Sequence, residues 1–201
     1  MAVSKTVDID QVELAIQAGA RAFGENRPDE LLRKHEAFPN VEWHFIGNIQ
    51  SRRIGDIVSA ATLIHSVCKE SHLAKIDAAA KSLGKCQRLL LEVNVSGEES
   101  KSGFAPDDVA GVLERAQGLE NISIEGLMTM APQGDLDAIN KTFSGLSQLN
   151  QQLQEKIQKE GLAYHLSALS MGMTEDWREA VGFGTTIVRI GRAIFSDDFE
   201  A

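Results

Sequence analysis

The chain predicts an α/β fold, a single (β/α)8 barrel of the TIM type spanning residues 1–201. Three observations carry that prediction. Eight short runs, most of them rich in Val, Ile, Leu or Phe, recur along the chain, as buried parallel strands do. Amphipathic stretches of helical period separate them. At 201 residues the chain is long enough for one sizeable core, and no linker, repeat or low-complexity stretch divides it. A doubly wound open sheet is the rival architecture, but it usually uses fewer strands in this length.

Taken in order, the strand candidates are 2–4, 20–24, 42–46, 62–67, 88–95, 122–130, 164–169 and 186–190. A helix fits between each consecutive pair. Residues 10–18 carry Val12, Leu14, Ala15, Ile16 and Ala18. Residues 28–35 open on Pro28, which is pre-set for a helix start. Residues 51–60 put Ile54, Ile57 and Val58 on one stripe, and 69–83 stop before Gly84, a C-cap residue. Residues 106–117 space Val109, Val112, Leu113 and Ala116 helically. The longest helix, 135–160, carries Phe143, Leu146, Leu149, Leu153 and Ile157 and ends at Gly161. A short helix covers 174–181. No helix precedes the first strand, and residues 196–200 read as a frayed end.

Composition narrows the function. The net charge of −9 argues against a general nucleic-acid face, and the Arg52-Arg53 pair does not reverse that. Cys68 and Cys86 fit no metal-ligand spacing and suggest free thiols in a reducing cytoplasm. No apolar run approaches the length of a membrane span, and no signal pattern opens the chain.

In a parallel barrel, functional groups gather at the C-terminal ends of the strands, with phosphate favoured after strands seven and eight. Lys5 follows the first strand, Glu25-Asn26 the second and Gly47-Asn48 the third. Ser170-Met171-Gly172 follows the predicted seventh strand, and Gly191-Arg192 the eighth. A lysine amine can form a Schiff base with an aldehyde. Backbone N–H groups at Gly-rich turns bind phosphate. Closure of the barrel sets the amine beside the phosphate cradle, and an aldehyde carrying a phosphate suggests pyridoxal 5'-phosphate (PLP).

Several stretches, in order along nearly the whole chain, carry a resemblance: Ala2-Val3-Ser4-Lys5-Thr6, Phe23-Gly24-Glu25-Asn26, Trp43-His44-Phe45-Ile46-Gly47-Asn48, His65-Ser66-Val67, Val93-Asn94-Val95-Ser96-Gly97, Gly126-Leu127-Met128, Leu169-Ser170-Met171-Gly172-Met173 and Val188-Arg189-Ile190-Gly191. With them the chain resembles the pyridoxal phosphate homeostasis proteins, which share their fold with the N-terminal domain of alanine racemases. The resemblance implies that Lys5 holds PLP as a Schiff base. It implies that Ser170 and the N–H groups of Gly172, Gly191 and Arg192 bind the phosphate, that Arg189 faces the pyridine nitrogen, and that Asn26 lies at the pocket wall. Most PLP enzymes that make carbanions place a carboxylate at that nitrogen instead. The family commonly carries a helix before Ala-Val-Ser-Lys, Thr where this chain has Arg192, and Asn-Lys where it has Arg52-Arg53. Without that helix the seam between the eighth and first strands is expected to be less stable, and PLP to stabilise it.

Other readings stand beside these. Ser170 and Gly172 fit a helix cap as well as a phosphate site. His44 fits the core as well as a pocket wall, and His165 reads as structural. The loop Glu98-Glu99-Ser100-Lys101 is a solvated loop or a lid. Functionally, storage and delivery of PLP to PLP-dependent apoenzymes, by a cytoplasmic monomer without robust catalysis, competes with two enzyme readings. One is an alanine-racemase-type enzyme. The other is a barrel enzyme of another class using Lys5. Racemisation needs a tyrosine base from an extra domain, whereas the only tyrosine, Tyr164, falls at the start of the predicted seventh strand, the end away from chemistry.

Overall fold

The structure, a computed structural model, describes residues 1–98 and 100–196. Glu99 of the predicted loop and residues 197–200 of the predicted frayed end lie outside the described residues. Among the described residues, eight strands run parallel in sequence order around a barrel: β1 (Ala2–Val3), β2 (Ala22–Glu25), β3 (Glu42–Phe45), β4 (Leu63–Val67), β5 (Gln87–Glu92), β6 (Ile122–Met128), β7 (Ala168–Met173) and β8 (Ile187–Arg189). The covering helices are α1 (Ile9–Gln17), α2 (Pro28–Ala37), α3 (Ile54–Ala60), α4 (Glu70–Ser82), α5 (Val109–Ala116), α6 (Leu136–Glu160), α7 (Trp177–Gly182) and α8 (Arg192–Phe195).

The predicted helices form where the apolar stripes placed them. Those at 51–60 and 106–117 each open with a 3-10 turn, Ser51–Arg53 and Pro106–Asp108. Asp135 caps α6 by accepting from the N–H groups of Asp137 and Ala138, and Gly161 closes it at φ 66°, where only glycine is unstrained.

The ring closes between β8 and β1. Val3 N–H donates to Ile190 O at 2.7 Å, Ile190 N–H to Met1 O at 3.1 Å, and the amino terminus to Val188 O at 3.1 Å. The predicted seam is therefore joined by backbone hydrogen bonds, which satisfy both edges of a sheet that would otherwise stay open.

The seventh strand departs most from expectation. It runs from Ala168, four residues later than predicted, so Ser170, Met171 and Gly172 lie within it. Ser and Gly read as turn residues. In a strand with a polar interior they are tolerated, because the inward side chain meets polar partners rather than an apolar core. The 174–181 helix begins late, at Trp177, and α8 was not anticipated.

Side chains alternate across each strand. Outward residues such as Phe23, Trp43, Ile64, Leu89 and Met171 pack against Val12, Leu31, Ile57, Ile76 and Phe143 from the helices. Leu63, Leu90 and Met128 form a separate apolar cluster with Ala168 and Ile187. His65 and Ser170 follow two residues after Leu63 and Ala168, and so share their inward face.

One buried ion pair sits between the barrel and α2. Lys34 lies three residues after Leu31 on the buried stripe, and both are fully buried. Lys34 Nζ donates to Glu25 Oε1 at 2.7 Å and to Ser4 O at 2.8 Å, while the Ser4 hydroxyl donates to Glu25 Oε1 at 2.6 Å. The strand end that precedes Lys5 is thus held by both its carbonyl and its side chain. Removing one partner of such a pair strands the other charge, at a cost of about 3–5 kcal/mol. Lys34→Met is expected to destabilise the protein by that amount in urea denaturation, and Glu25→Gln with Lys34→Met by less than the sum of the single changes. A loss for Lys34→Met within about 0.5 kcal/mol, as for an ordinary surface substitution, would contradict the burial.

Candidate functional site

At the C-terminal ends of the strands lies a cavity of about 390 Å³. Five of the seven predicted site residues line it: Lys5, Asn26, Arg189, Gly191 and Arg192. Gly47, Asn48, Met173, Thr174 and Glu175 line it as well. The sequence brings these together because each follows or ends a strand, and parallel strands deliver all such ends to one face.

Lys5 is exposed, one residue beyond the buried Ser4 that Glu25 and Lys34 grip. Its backbone is anchored and its amine is free to reach the cavity. Asn26 packs against Gly47 so closely that a Cβ on Gly47 would stand 2.0 Å from Asn26 O. Glycine is therefore required at 47 for the loops after β2 and β3 to meet. Ser66 on β4 ties the same loop down by donating to Gly47 O at 2.5 Å.

Arg189, at the end of β8, is 6% exposed. It donates to Ser170 Oγ at 2.7 Å and to Thr129 O at 2.9 Å. Burial pulls its pKa down to about 10, opposed by the Asp176 and Glu92 carboxylates. The guanidinium remains a cation at neutral pH. Burial in turn pushes the Asp176 and Glu92 carboxyls up, with Arg189 opposing in both cases. Asp176 also accepts from Met173 N–H at 2.5 Å, which anchors the turn beyond β7.

Ser170 and Gly172 do not line the cavity. Ser170 is fully buried inside the barrel, where its hydroxyl meets Arg189 and His65 Nδ1, the latter at 2.8 Å. Gly172 takes φ 91°, and a Cβ there would lie 2.7 Å from the Ala180 side chain. It lets α7 approach β7. Both departures follow from the later start of β7, which makes these residues part of the wall. The hydroxyl at the cavity belongs to Thr174, whose Oγ1 accepts from Gly191 N–H at 3.3 Å. A Cβ on Gly191 would stand 3.3 Å from Val3 O, so β1 and β8 meet tightly there. Arg192 is exposed and ion-paired with Glu175 across the cavity mouth.

His44 and His65 lie inside the barrel rather than on the cavity wall. His165 is exposed in the loop before β7. Tyr164, in that loop, donates to Leu113 O at 2.8 Å, at the opposite end from the cavity. Sequence reasoning missed Thr174, Lys34 and Asp176. The signal for Lys34 was a lysine on the Leu31 stripe. The signal for Thr174 was a hydroxyl one residue past the strand end.

A larger cavity of about 540 Å³ opens at the other end, beside Ile122, Glu125, Tyr164 and His165. Among the described residues no lysine or arginine lines it, and its one carboxylate, Glu125, is paired with Arg88. Its chemistry offers neither an amine nor a cationic floor, so the smaller cavity is the candidate site.

Residues 1–198 match the family described as alanine racemase, N-terminal domain. A relative from Synechocystis, named pyridoxal phosphate homeostasis protein, is 37% identical over 201 residues, covering 98% of this chain and 90% of its own. The protein of the same name from Aquifex aeolicus is 34% identical over 200 residues, covering 98% and 86%. Among solved structures, PipY of Synechococcus elongatus without PLP superposes with a TM-score of 0.90 at 33% identity, over 97% of this chain and 91% of its own. The same protein with PLP bound gives 0.87 at 31% identity, over 98% and 91%.

Proposed function

The chain belongs to the pyridoxal phosphate homeostasis proteins of the alanine racemase N-terminal-domain family, and from that premise we propose that it binds PLP in the β-strand-end cavity and holds it for storage and delivery. The observation that carries the proposal is the cavity itself: it combines an amine with no partner among the described residues, a buried cation and a glycine turn at a barrel seam. A pyridoxal phosphate has an aldehyde, a ring nitrogen and a dianion, and each finds a matching group there. PLP supplies an electrophilic aldehyde carbon that an amine can attack with loss of water.

The residues divide the work. Lys5 provides the amine, on a strand end fixed by Glu25 and Lys34. Gly191 N–H, Arg192 N–H and the Thr174 hydroxyl hold the phosphate, since the first N–H groups of a helix have no acceptor within it. The Arg192 side chain, paired to Glu175, stands at the mouth beside them. Asn26 forms the wall on the Lys5 side. Arg189 faces the pyridine nitrogen, and its fixed positive charge disfavours a proton on that atom. A ring left unprotonated withdraws electrons weakly, which suits keeping the cofactor more than using it.

The same reading makes the protein a monomer that serves PLP-dependent apoenzymes without robust turnover of its own. Tyr164 is committed to Leu113 O at the far end and supplies no second base at the cavity. A cytoplasmic location fits the two cysteines, Cys68 half-buried and Cys86 exposed, which are unbridged among the described residues.

Borohydride reduction of the PLP-loaded protein, followed by peptide mass mapping, is expected to place a pyridoxyl group on Lys5. A label on another lysine, or on none, would refute the assignment. Pyridoxal, lacking the phosphate, is expected to bind at least tenfold more weakly than PLP, since charge-assisted hydrogen bonds contribute about 1.5–3 kcal/mol each. Thr174→Ala should narrow that ratio, whereas Ser170→Ala should lower affinity for both compounds alike. A ratio that narrows with Ser170→Ala instead would return the phosphate to Ser170. Loaded protein incubated with L- or D-alanine should racemise no faster than free PLP; chiral analysis showing a clear excess would support the racemase reading.

A further inference from the structure

Five side chains from four strands form a single file inside the barrel. Glu42 Oε2 lies 3.4 Å from His44 Nε2, and His44 Nδ1 lies 3.0 Å from His65 Nε2. His65 Nδ1 lies 2.8 Å from Ser170 Oγ, which accepts from Arg189 at 2.7 Å. β4 and β7 are not neighbours in the sheet, so the His65–Ser170 link crosses the lumen. The file runs from Glu42, exposed at the start of β3, to the cation at the cavity.

The two ends decide its polarity. Arginine only donates, and an ionised carboxylate only accepts. With both rings neutral, one proton arrangement fills every gap. Ser170 O–H donates to His65 Nδ1, His65 Nε2–H to His44 Nδ1, and His44 Nε2–H to Glu42. Any other tautomer sets two lone pairs, or two hydrogens, face to face.

We infer that this file is a positioning relay, in which His44 and His65 point the Ser170 hydroxyl hydrogen away from Arg189 and so keep the Ser170 lone pairs as a fixed acceptor for the guanidinium. With that edge pinned, and a second N–H on Thr129 O, the remaining donors of Arg189 hold one orientation toward the cavity. For what those donors then meet, the pyridine nitrogen of PLP, the inference rests on the proposed function. His44, His65 and Ser170 are positioning residues that act through Arg189.

Burial supports neutral rings. It lowers the pKa of His44, with Glu42 opposing, and holds His65 well below the ordinary histidine range, aided by His44 and Arg189. The other charges acting on the pair are Arg88 of β5, itself bonded to Glu125 of β6, and the amino terminus beside β1.

Two experiments test the relay. Two-bond 15N–1H correlation of histidine-labelled protein free of PLP reads the tautomers directly, with each ring assigned by substitution. Both His44 and His65 are expected as Nε2–H at pH 7, and the Nδ1–H form of either would overturn the relay. In protein loaded with PLP carrying 15N in the ring, the ring-nitrogen resonance is followed against pH for wild type, His65→Leu and His65→Gln. Leucine removes the donor and the acceptor, whereas glutamine keeps one of each. His65→Leu is expected to raise the midpoint of the resonance shift by about one pH unit, a tenfold gain in ring basicity, and His65→Gln to restore most of it. Identical profiles for all three proteins would overturn the relay. Ser170→Ala serves the same comparison should His65→Leu fail to fold. A protein that takes up no PLP would remove the cavity reading, while the tautomers would still decide the relay.

Discussion

Burying the guanidinium of Arg189 inside the barrel imposes conditions that most of the site then meets. A charge taken out of water without partners is expensive. Arg189 bonds one hydroxyl and one backbone carbonyl, and two nearby carboxylates, Asp176 and Glu92, favour its charge electrostatically. Each has a structural requirement. Ser170 must sit within β7 and face inward, so that strand extends past Met171. Thr129 O is available because β6 ends at Met128. Asp176 reaches Arg189's neighbourhood because the turn after β7 folds back on Met173 N–H. Glu92 ends β5 with its side chain buried. The polar lumen is thus organised around one buried cation at the cavity end of the barrel.

The seam between β8 and β1 carries the second condition. Lys5 stays at the cavity only if β1 holds its register against β8 and β2. Main-chain bonds to Ile190 and Val188 set one side, and Ser4 N–H bonded to Gly24 O sets the other. The fully buried Lys34 then fixes the last carbonyl before Lys5. Lys34 and Lys5 show how placement divides one residue type into two roles. The first is buried against a carboxylate and holds structure, and the second is exposed and lines the cavity.

Charge is distributed unevenly in this acidic protein. A net charge of −9 would discourage an anionic ligand over most of its surface. Lys5, Arg189 and Arg192 bring three cations to one barrel end, while no lysine or arginine among the described residues lines the larger cavity at the other. That separation, rather than cavity size, distinguishes the ends.

The sequence by itself determined the barrel, since eight apolar runs separated by helical stripes leave few other ways to bury both faces of a parallel sheet. It also placed Lys5, Asn26, Arg189, Gly191 and Arg192 at one end, because a strand's C-terminal end can be read from where its apolar run stops. Tertiary structure alone decided what Ser170, Gly172, His44, His65 and Lys34 do. Ser170 and Gly172 resemble turn residues until the lumen proves polar and α7 proves close. His44 and His65 stand 21 residues apart on separate strands, and Ser170 lies 105 beyond His65. No local pattern encodes a hydrogen bond across a barrel. Such contacts depend on strand register and ring closure, which arise only when all eight strands are in place.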